Sequence, residues 1–216
     1  MSGAPNRMYL AVGWTVGDVR RCLRTGDKER LVKFLRTRHE ERFFRPIKLL
    51  GRAKRNWQGH GFAMMSLCSL LIETIQSYRD GLPSTYSGEL KKLSKLKDVP
   101  PDYVLPKALD FKDVNSGKAF NRFFRRFRKE FDGMSGKKFY SNIRNGLLHQ
   151  AQTKRGWTIR MDGPKLHDAK VINRDIFAKR LEQAFQSYLD ELTSAKWNSM
   201  LCRNARRKVW WLIRTS

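Results

Sequence analysis

The stretch Phe62–Asp80, FAMMSLCSLLIETIQSYRD, constrains the fold more than any other, because its apolar residues leave almost no polar side. Phe62, Met65, Leu67, Leu70, Leu71, Ile72 and Ile75 nearly encircle a helix, and a helix of that kind belongs at the centre of a core. Gly81 supplies a C-terminal cap, and Pro83 stops any continuation. One acid, Glu73, interrupts the run. A carboxylate there is costly unless it reaches a partner or a helix edge. No segment approaches the ~20 apolar residues that span a bilayer. The N-terminus lacks a charged start followed by an apolar run of signal-peptide length. The expectation is a soluble, cytoplasmic protein with no transmembrane segment.

The remaining periodicity is also mostly helical. Asp18 is placed to cap VRRCLRT, and Asp27 to cap KERLVKFLRTRHEERFF, in which Leu31, Phe34 and Leu35 share one face. Pro46 ends or kinks that helix. Gly51–Gly61 reads as a mobile basic loop, and residues 81–115, with Pro83, Pro100, Pro101 and Pro106, as a long connection holding one short helix near GELKKLSKL.

Ser116 caps GKAFNRFFRRFRKEF, where Ala119, Phe120, Phe123, Phe124, Phe127 and Phe131 repeat at i, i+3, i+4, i+7. Stacking aromatics must be exposed, so this regular stripe reads as core. Arg122, Arg125, Arg126, Arg128 and Lys129 fill the opposite face. Ser135 caps the next helix, whose seam is Phe139, Ile143 and Leu147. A hairpin is expected near 157–172, from WTIR, the Asp162-Gly163 turn and KLHDAKVI. Asn173 then caps RDIFAKRLEQAFQSYLDELTSA, with Phe177, Leu181, Ala184, Phe185, Tyr188 and Leu192 as its core face. The tail mixes Trp197, Trp210 and Trp211 with basic residues, leaving membrane surface, RNA and partner packing open. The fold class is mainly α: a helical bundle with a small β-hairpin and basic N- and C-terminal extensions. The expected division is 1–60, a helical core over 61–194, and 195–216.

Charge narrows the partners. The chain carries 45 Lys and Arg against 20 Asp and Glu, a formal charge of +25. Such self-repulsion points to a polyanionic partner, nucleic acid first and an anionic membrane second. The basic face of Arg122, Arg125, Arg126 and Lys129, continued by Lys154 and Arg155, is the candidate RNA surface. Cys22, Cys68 and Cys202 are widely spaced, which indicates neither a zinc site nor a disulfide framework. No phosphate-binding glycine loop, nucleophile elbow or H-E-x-x-H pair occurs. No cofactor or metal is therefore expected.

The helix SNIRNGLLHQ, Ser141–Gln150, carries the chemistry. In RNA the ribose 2′-hydroxyl is an internal nucleophile, so proximity is already supplied. What remains is a general acid or base, and a cation for the charged transition state. His149 and Arg144 match that need. On a straight helix they stand roughly 140° apart around the axis and about 7.5 Å along it, while Asn145 and His149 share a face. Convergence on one phosphate is easier if the helix ends near His149 or if a second copy contributes groups.

Arg144-Asn145-x-x-x-His149 resembles the R-x(4–6)-H signature of the HEPN superfamily (higher eukaryotes and prokaryotes nucleotide-binding). A preceding apolar helix with Glu73 at a polar position adds to the likeness, which covers roughly residues 61–194. The resemblance implies a metal-independent endoribonuclease of the toxin or anti-phage defence type, with an antitoxin or defence-system partner. It also implies a homodimer that joins two motifs in a composite cleft. By position, His149 is then the acid/base group, Arg144 the phosphate ligand, Asn145 an orienting group and Glu73 the organiser of Arg144. Ala151 stands where a tyrosine-modified subgroup needs tyrosine, so control by adenylylation there is not expected. The alternative is a non-catalytic RNA- or nucleotide-binding helical module.

Overall fold

The computed structural model describes residues 5–52, 60–106, 109–110 and 114–215. Most of the basic loop expected at Gly51–Gly61 thus lies outside the described residues. The chain opens with a short antiparallel hairpin, β1 (Tyr9–Ala11) and β2 (Trp14–Thr15), turning at Gly13 with φ 71°. Helix α1 (Val16–Thr25) follows. Its cap is Thr15, not Asp18: Asp18 sits at the third helical position and closes a capping box with Thr15. Asp27 caps α2 (Lys28–His39) as expected, accepting from the Arg30 amide. A π-helical turn, Glu40–Phe44, joins α2 to α3 (Arg45–Arg52). Pro46 therefore stands in the first turn of α3, just after the widened turn, where its missing N–H is least costly.

Next come α4 (His60–Asp80), α5 (Ser87–Leu93) and a 3₁₀ turn at Pro101–Tyr103. Helix α6 (Ser116–Arg126) begins at Ser116 itself, and hydrogen-bonded turns carry the chain on through Phe131. Ser135 caps α7 (Gly136–Phe139), which continues through a π-helical turn, Tyr140–Arg144, into α8 (Asn145–Gln150). Strands β3 (Thr158–Arg160), β4 (His167–Asp168) and β5 (Val171–Asn173) precede the long α9 (Arg174–Ser194) and α10 (Met200–Thr215).

The chain is mainly helical with small β elements, as its periodicity predicts. The sheet pairing differs in one respect. The antiparallel hairpin is β4–β5, and β3 joins β5 in parallel, giving the order β3-β5-β4. The Asp162-Gly163 turn does not close a hairpin because Asn173 holds it: Nδ2 donates to the carbonyls of Met161, Asp162 and Gly163 at 3.4, 3.3 and 2.8 Å. The same residue's Oδ1 accepts from the amides of Asp175 and Ile176, capping α9.

Two compact units result, and they do not follow the expected division at 60 and 194. Unit 1 comprises residues 1–41, 77–115 and 187–216; unit 2 comprises 42–76 and 116–186. Of the segments read as basic extensions, residues 1–41 and 195–216 fall in unit 1, and 42–60 in unit 2. Helices α1 and α2 bury Val16, Val19, Leu23, Leu31, Phe34 and Leu35. Trp211 of α10 is 1% exposed, packs in a cluster with Leu82, Leu90, Leu105 and Val114, and donates its indole N–H to the Tyr103 carbonyl at 3.1 Å. Trp210 stacks on Tyr103 at 5.3 Å, and Arg206 lies 4.5 Å over Trp197. Each tail tryptophan therefore has partners within this unit.

Unit 2 is organised by aromatics. Ala119, Phe120, Phe123, Phe124, Phe127 and Phe131 are all buried, with Phe139 and Phe177 stacked at 5.1 Å beside them. Gly136 lets α7 approach α6: a Cβ there would stand 2.6 Å from the Phe120 carbonyl oxygen. Helix α4 adds Met65, Cys68, Leu71, Ile72 and Ile75, all fully buried. Its other face does not close. Phe62 and Leu70 remain 37% and 41% exposed, so the encircling pattern of the sequence covers a core on one side only.

Candidate active site

The candidate residues gather at the end of the α7–α8 segment in unit 2. Phe139 and Ile143 anchor it with no exposed surface, and Leu147 is nearly buried. The π-helical turn ends at Arg144, where the Asn145 amide bonds five residues back to the Tyr140 carbonyl. A widened turn of this kind rotates everything beyond it relative to a regular helix, and such turns recur at functional sites. Here its last residue is Arg144, the first of the motif.

Arg144 is tightly held. Its Nη2 donates to Glu73 Oε2 at 3.0 Å, and its Nη1 to Asn145 Oδ1 at 3.1 Å. The Tyr140 ring lies beneath its guanidinium at 5.4 Å. The Arg144 and Glu73 side chains are only 16% and 12% exposed. In so dry a setting the ion pair fixes the guanidinium plane as well as its charge. Glu73, the acid that interrupts the apolar run, thus has its partner across 71 residues of sequence. A guanidinium has five N–H donors. Two are engaged here, so each terminal nitrogen keeps one N–H for an oxyanion.

His149 is exposed and makes no hydrogen bond among the described residues. Asn145 is turned to Arg144 and not to His149. Helix α8 ends at Gln150, one residue beyond the histidine, with Ala151 in the left-handed region at φ 52°. The chain then folds straight back onto the helix. Lys154 donates its amide to the Asn142 carbonyl at 2.8 Å, and the Gln152 carbonyl passes so close to Gly146 that a Cβ there would meet it at 2.3 Å. The histidine therefore stands at a helix end clamped by its own exit loop.

The expected basic surface is partly present. Arg125, Arg126, Lys129 and Arg155 are exposed, while Arg122 and Lys154 are half-buried. The other histidines play different parts. His39 is 1% exposed, with Nδ1 2.7 Å from the Leu35 carbonyl, and His167 Nε2 lies 3.2 Å from the Asp132 carbonyl. Among the described residues no group of three or more His, Cys, Asp or Glu side chains converges. No helix there is long and apolar enough to cross a membrane.

Three contributors escape a reading of the motif alone. Tyr140 lies one helical turn before Arg144, a spacing that sequence does reveal. Gly146 and the Asn142 carbonyl matter only because the exit loop returns, and nothing local announces that. Comparison with protein-family models, with curated proteins and with solved structures yields no match in any of the three.

Proposed function

We propose that this protein is a metal-independent endoribonuclease that cleaves RNA by attack of the ribose 2′-hydroxyl, acting as a homodimer. The observation that carries the reading is the pairing of a clamped, partly dry Arg144 with a free, exposed His149 on one short helix end. Arg144 supplies fixed positive charge where the phosphorane develops negative charge, without reorganising at that moment. His149 takes the proton from the 2′-hydroxyl. As the 2′-oxygen bonds to phosphorus, the bond to the departing 5′-oxygen breaks and that oxygen receives a proton. The products are a 2′,3′-cyclic phosphate and a 5′-hydroxyl. One imidazole does not serve both ends of an in-line displacement at once, and a second copy supplies the other.

The surface around the site supports the dimer. Leu70 precedes Glu73 by one turn on α4, and Leu148 follows Arg144 by one turn on α8. Both leucines are exposed, at 41% and 37%. Apolar groups gathered beside a charged site are typical of surfaces that a partner covers. The biological setting we propose is a toxin or anti-phage defence enzyme, held in check by a partner.

Purified protein in EDTA is expected to cut single-stranded RNA and leave cyclic phosphate ends, and His149→Ala to abolish cutting with the fold intact. Intact RNA with wild-type protein, or equal cutting by His149→Ala, removes the proposal. Steeply salt-dependent RNA binding without any cleavage would favour the binding-module alternative. Expression that is toxic with the wild type and harmless with His149→Ala would support the defence role.

A further inference from the structure

Unit 1 carries a second basic surface, in the other compact unit from the motif helix. It is a groove of about 810 Å³ between the strap Pro5–Tyr9 and the outer face of α1. Arg7 and Tyr9 line it from the strap, and Arg20, Arg21 and Arg24 from the helix. All five are exposed, and Tyr9 is 69% so. Arg20 and Arg24 stand one turn apart on the same helix face.

The wall is built, not incidental. The strap is fastened to the first turn of α1 by the Gly17 amide on the Asn6 carbonyl (2.9 Å) and the Val16 amide on the Met8 carbonyl (2.8 Å). Arg20 Nη1 donates to Asn6 Oδ1 at 2.5 Å, which aims one guanidinium along the groove. A Cβ at Gly17 would come within 3.2 Å of the Asn6 carbonyl, so glycine is what lets the strap lie this close. The acid lining the groove, Asp18, is already committed. Its carboxylate accepts from the Thr15 hydroxyl and amide at 2.5 and 3.0 Å, and those bonds hold its pKa below the ordinary value.

None of Arg7, Arg20 and Arg24 makes an ion pair among the described residues, whereas Arg79 pairs with Glu191 and Lys48 with Glu182. Arg7, Arg20, Arg21 and Arg24 share this concavity with one carboxylate, Asp18, so net positive repulsion remains, in a chain already at +25. An external polyanion relieves that repulsion. The shape and the ring narrow its identity. A bilayer is met by a protruding surface, and the exposed apolar Met8 and Val12 lie outside this groove's lining. An acidic peptide would engage the arginines and make no use of the tyrosine. Bases stack on exposed aromatic rings while arginines follow the backbone.

We propose that this groove is a single-stranded nucleic-acid site, with Arg7, Arg20, Arg21 and Arg24 on successive phosphates and a base stacked on Tyr9. It goes beyond the nuclease reading and does not depend on it, since a strand can be held here whether or not unit 2 cuts it. The test uses the full-length chain carrying His149→Ala and a short fluorescein-labelled oligouridylate, followed by fluorescence anisotropy over a salt series. Adding Arg20→Ser with Arg24→Ser is expected to weaken binding at least about tenfold. It should also flatten the salt slope by about 0.7 for each phosphate that the variant no longer neutralises. Tyr9→Ala is expected to weaken binding about fivefold or more at an unchanged salt slope, while Tyr9→Phe binds as the parent does. Lys91→Ser with Lys92→Ser removes equal charge from exposed positions elsewhere in unit 1, and its affinity is expected to stay within about twofold.

Unchanged binding in the arginine variant overturns the proposal, and so does an equal loss in the lysine control. Vesicles of phosphatidylcholine with phosphatidylserine provide the other arm. Vesicle binding that the arginine variant loses, with oligouridylate binding intact, also overturns it. Failure of RNA cleavage by the protein with His149 intact, with this binding pattern preserved, counts against the unit 2 reading alone.

Discussion

Glu73 and Arg144 are held by their partnership as much as by their helices. Replacing Glu73 with Gln leaves a guanidinium at 16% exposure without its counter-charge, while a neutral hydrogen bond remains. The expected cost is about 1.5–3 kcal/mol of stability in urea denaturation, with any RNA cleavage falling alongside. Gly146 is constrained by space and not by its own dihedrals. Gly146→Ala drives a methyl group to 2.3 Å from the Gln152 carbonyl, so the exit loop must move, and a loss of about 2 kcal/mol or more is expected. Two-dimensional NMR would show the displacement as shifts in Gln152–Lys154 and His149. Ala151 offers the opposite change. A non-glycine residue at φ 52° is strained, and Ala151→Gly is expected to raise stability in the same denaturation by about 0.5–1 kcal/mol.

Helix α10 shows how an element's context can outweigh its composition. As sequence it is a basic, tryptophan-rich tail; folded, it fills the core of unit 1 with Trp211 and Val209. Trp211→Ala is expected to cost about 3–5 kcal/mol, read by denaturation. Its Lys208 donates to the Pro83 carbonyl at 2.6 Å, and burial pushes its pKa down to about 8 from 10.5. Between those values the unfolded chain holds the proton more firmly than the folded one, so stability rises with pH. Above pH 10 the buried Tyr188 works the other way, because its pKa is raised and the unfolded chain ionises first. A gain of order 1 kcal/mol from pH 8 to 9.5 is therefore expected, absent in Lys208→Met.

Whatever is written locally is legible in the sequence. The phenylalanine stripe of α6, the Asp27, Ser135 and Asn173 caps and the seam of α8 all depend on neighbours within a turn or two. The Thr15 cap is local as well, but Asp18 at its third position is the more conspicuous capping residue and shifts the expected start by most of a turn. The parallel β3–β5 pairing, the Glu73–Arg144 bond and the packing of the tail depend on partners across long stretches of chain, which no local period encodes.

For the whole molecule, the open face of α4 and α8 is the feature with the largest consequence. Leu70→Lys places a charge in the apolar patch beside the site, on the solvent side of α4. The expected outcome is a stable monomer by light scattering, together with loss of RNA cleavage. A variant that stays dimeric and active would assign this face another use. The units themselves are interleaved in sequence: unit 1 draws on residues 1–41, 77–115 and 187–216. That arrangement sets a timetable for synthesis. While residues 1–186 emerge from the ribosome, unit 1 still lacks α10, which packs against α1 and is made later. Long-range closure of this kind is slow and leaves apolar surface uncovered in the meantime. Nascent chains stalled near residue 186 are thus expected to be cut by protease in α1 and α2, and released chains to resist.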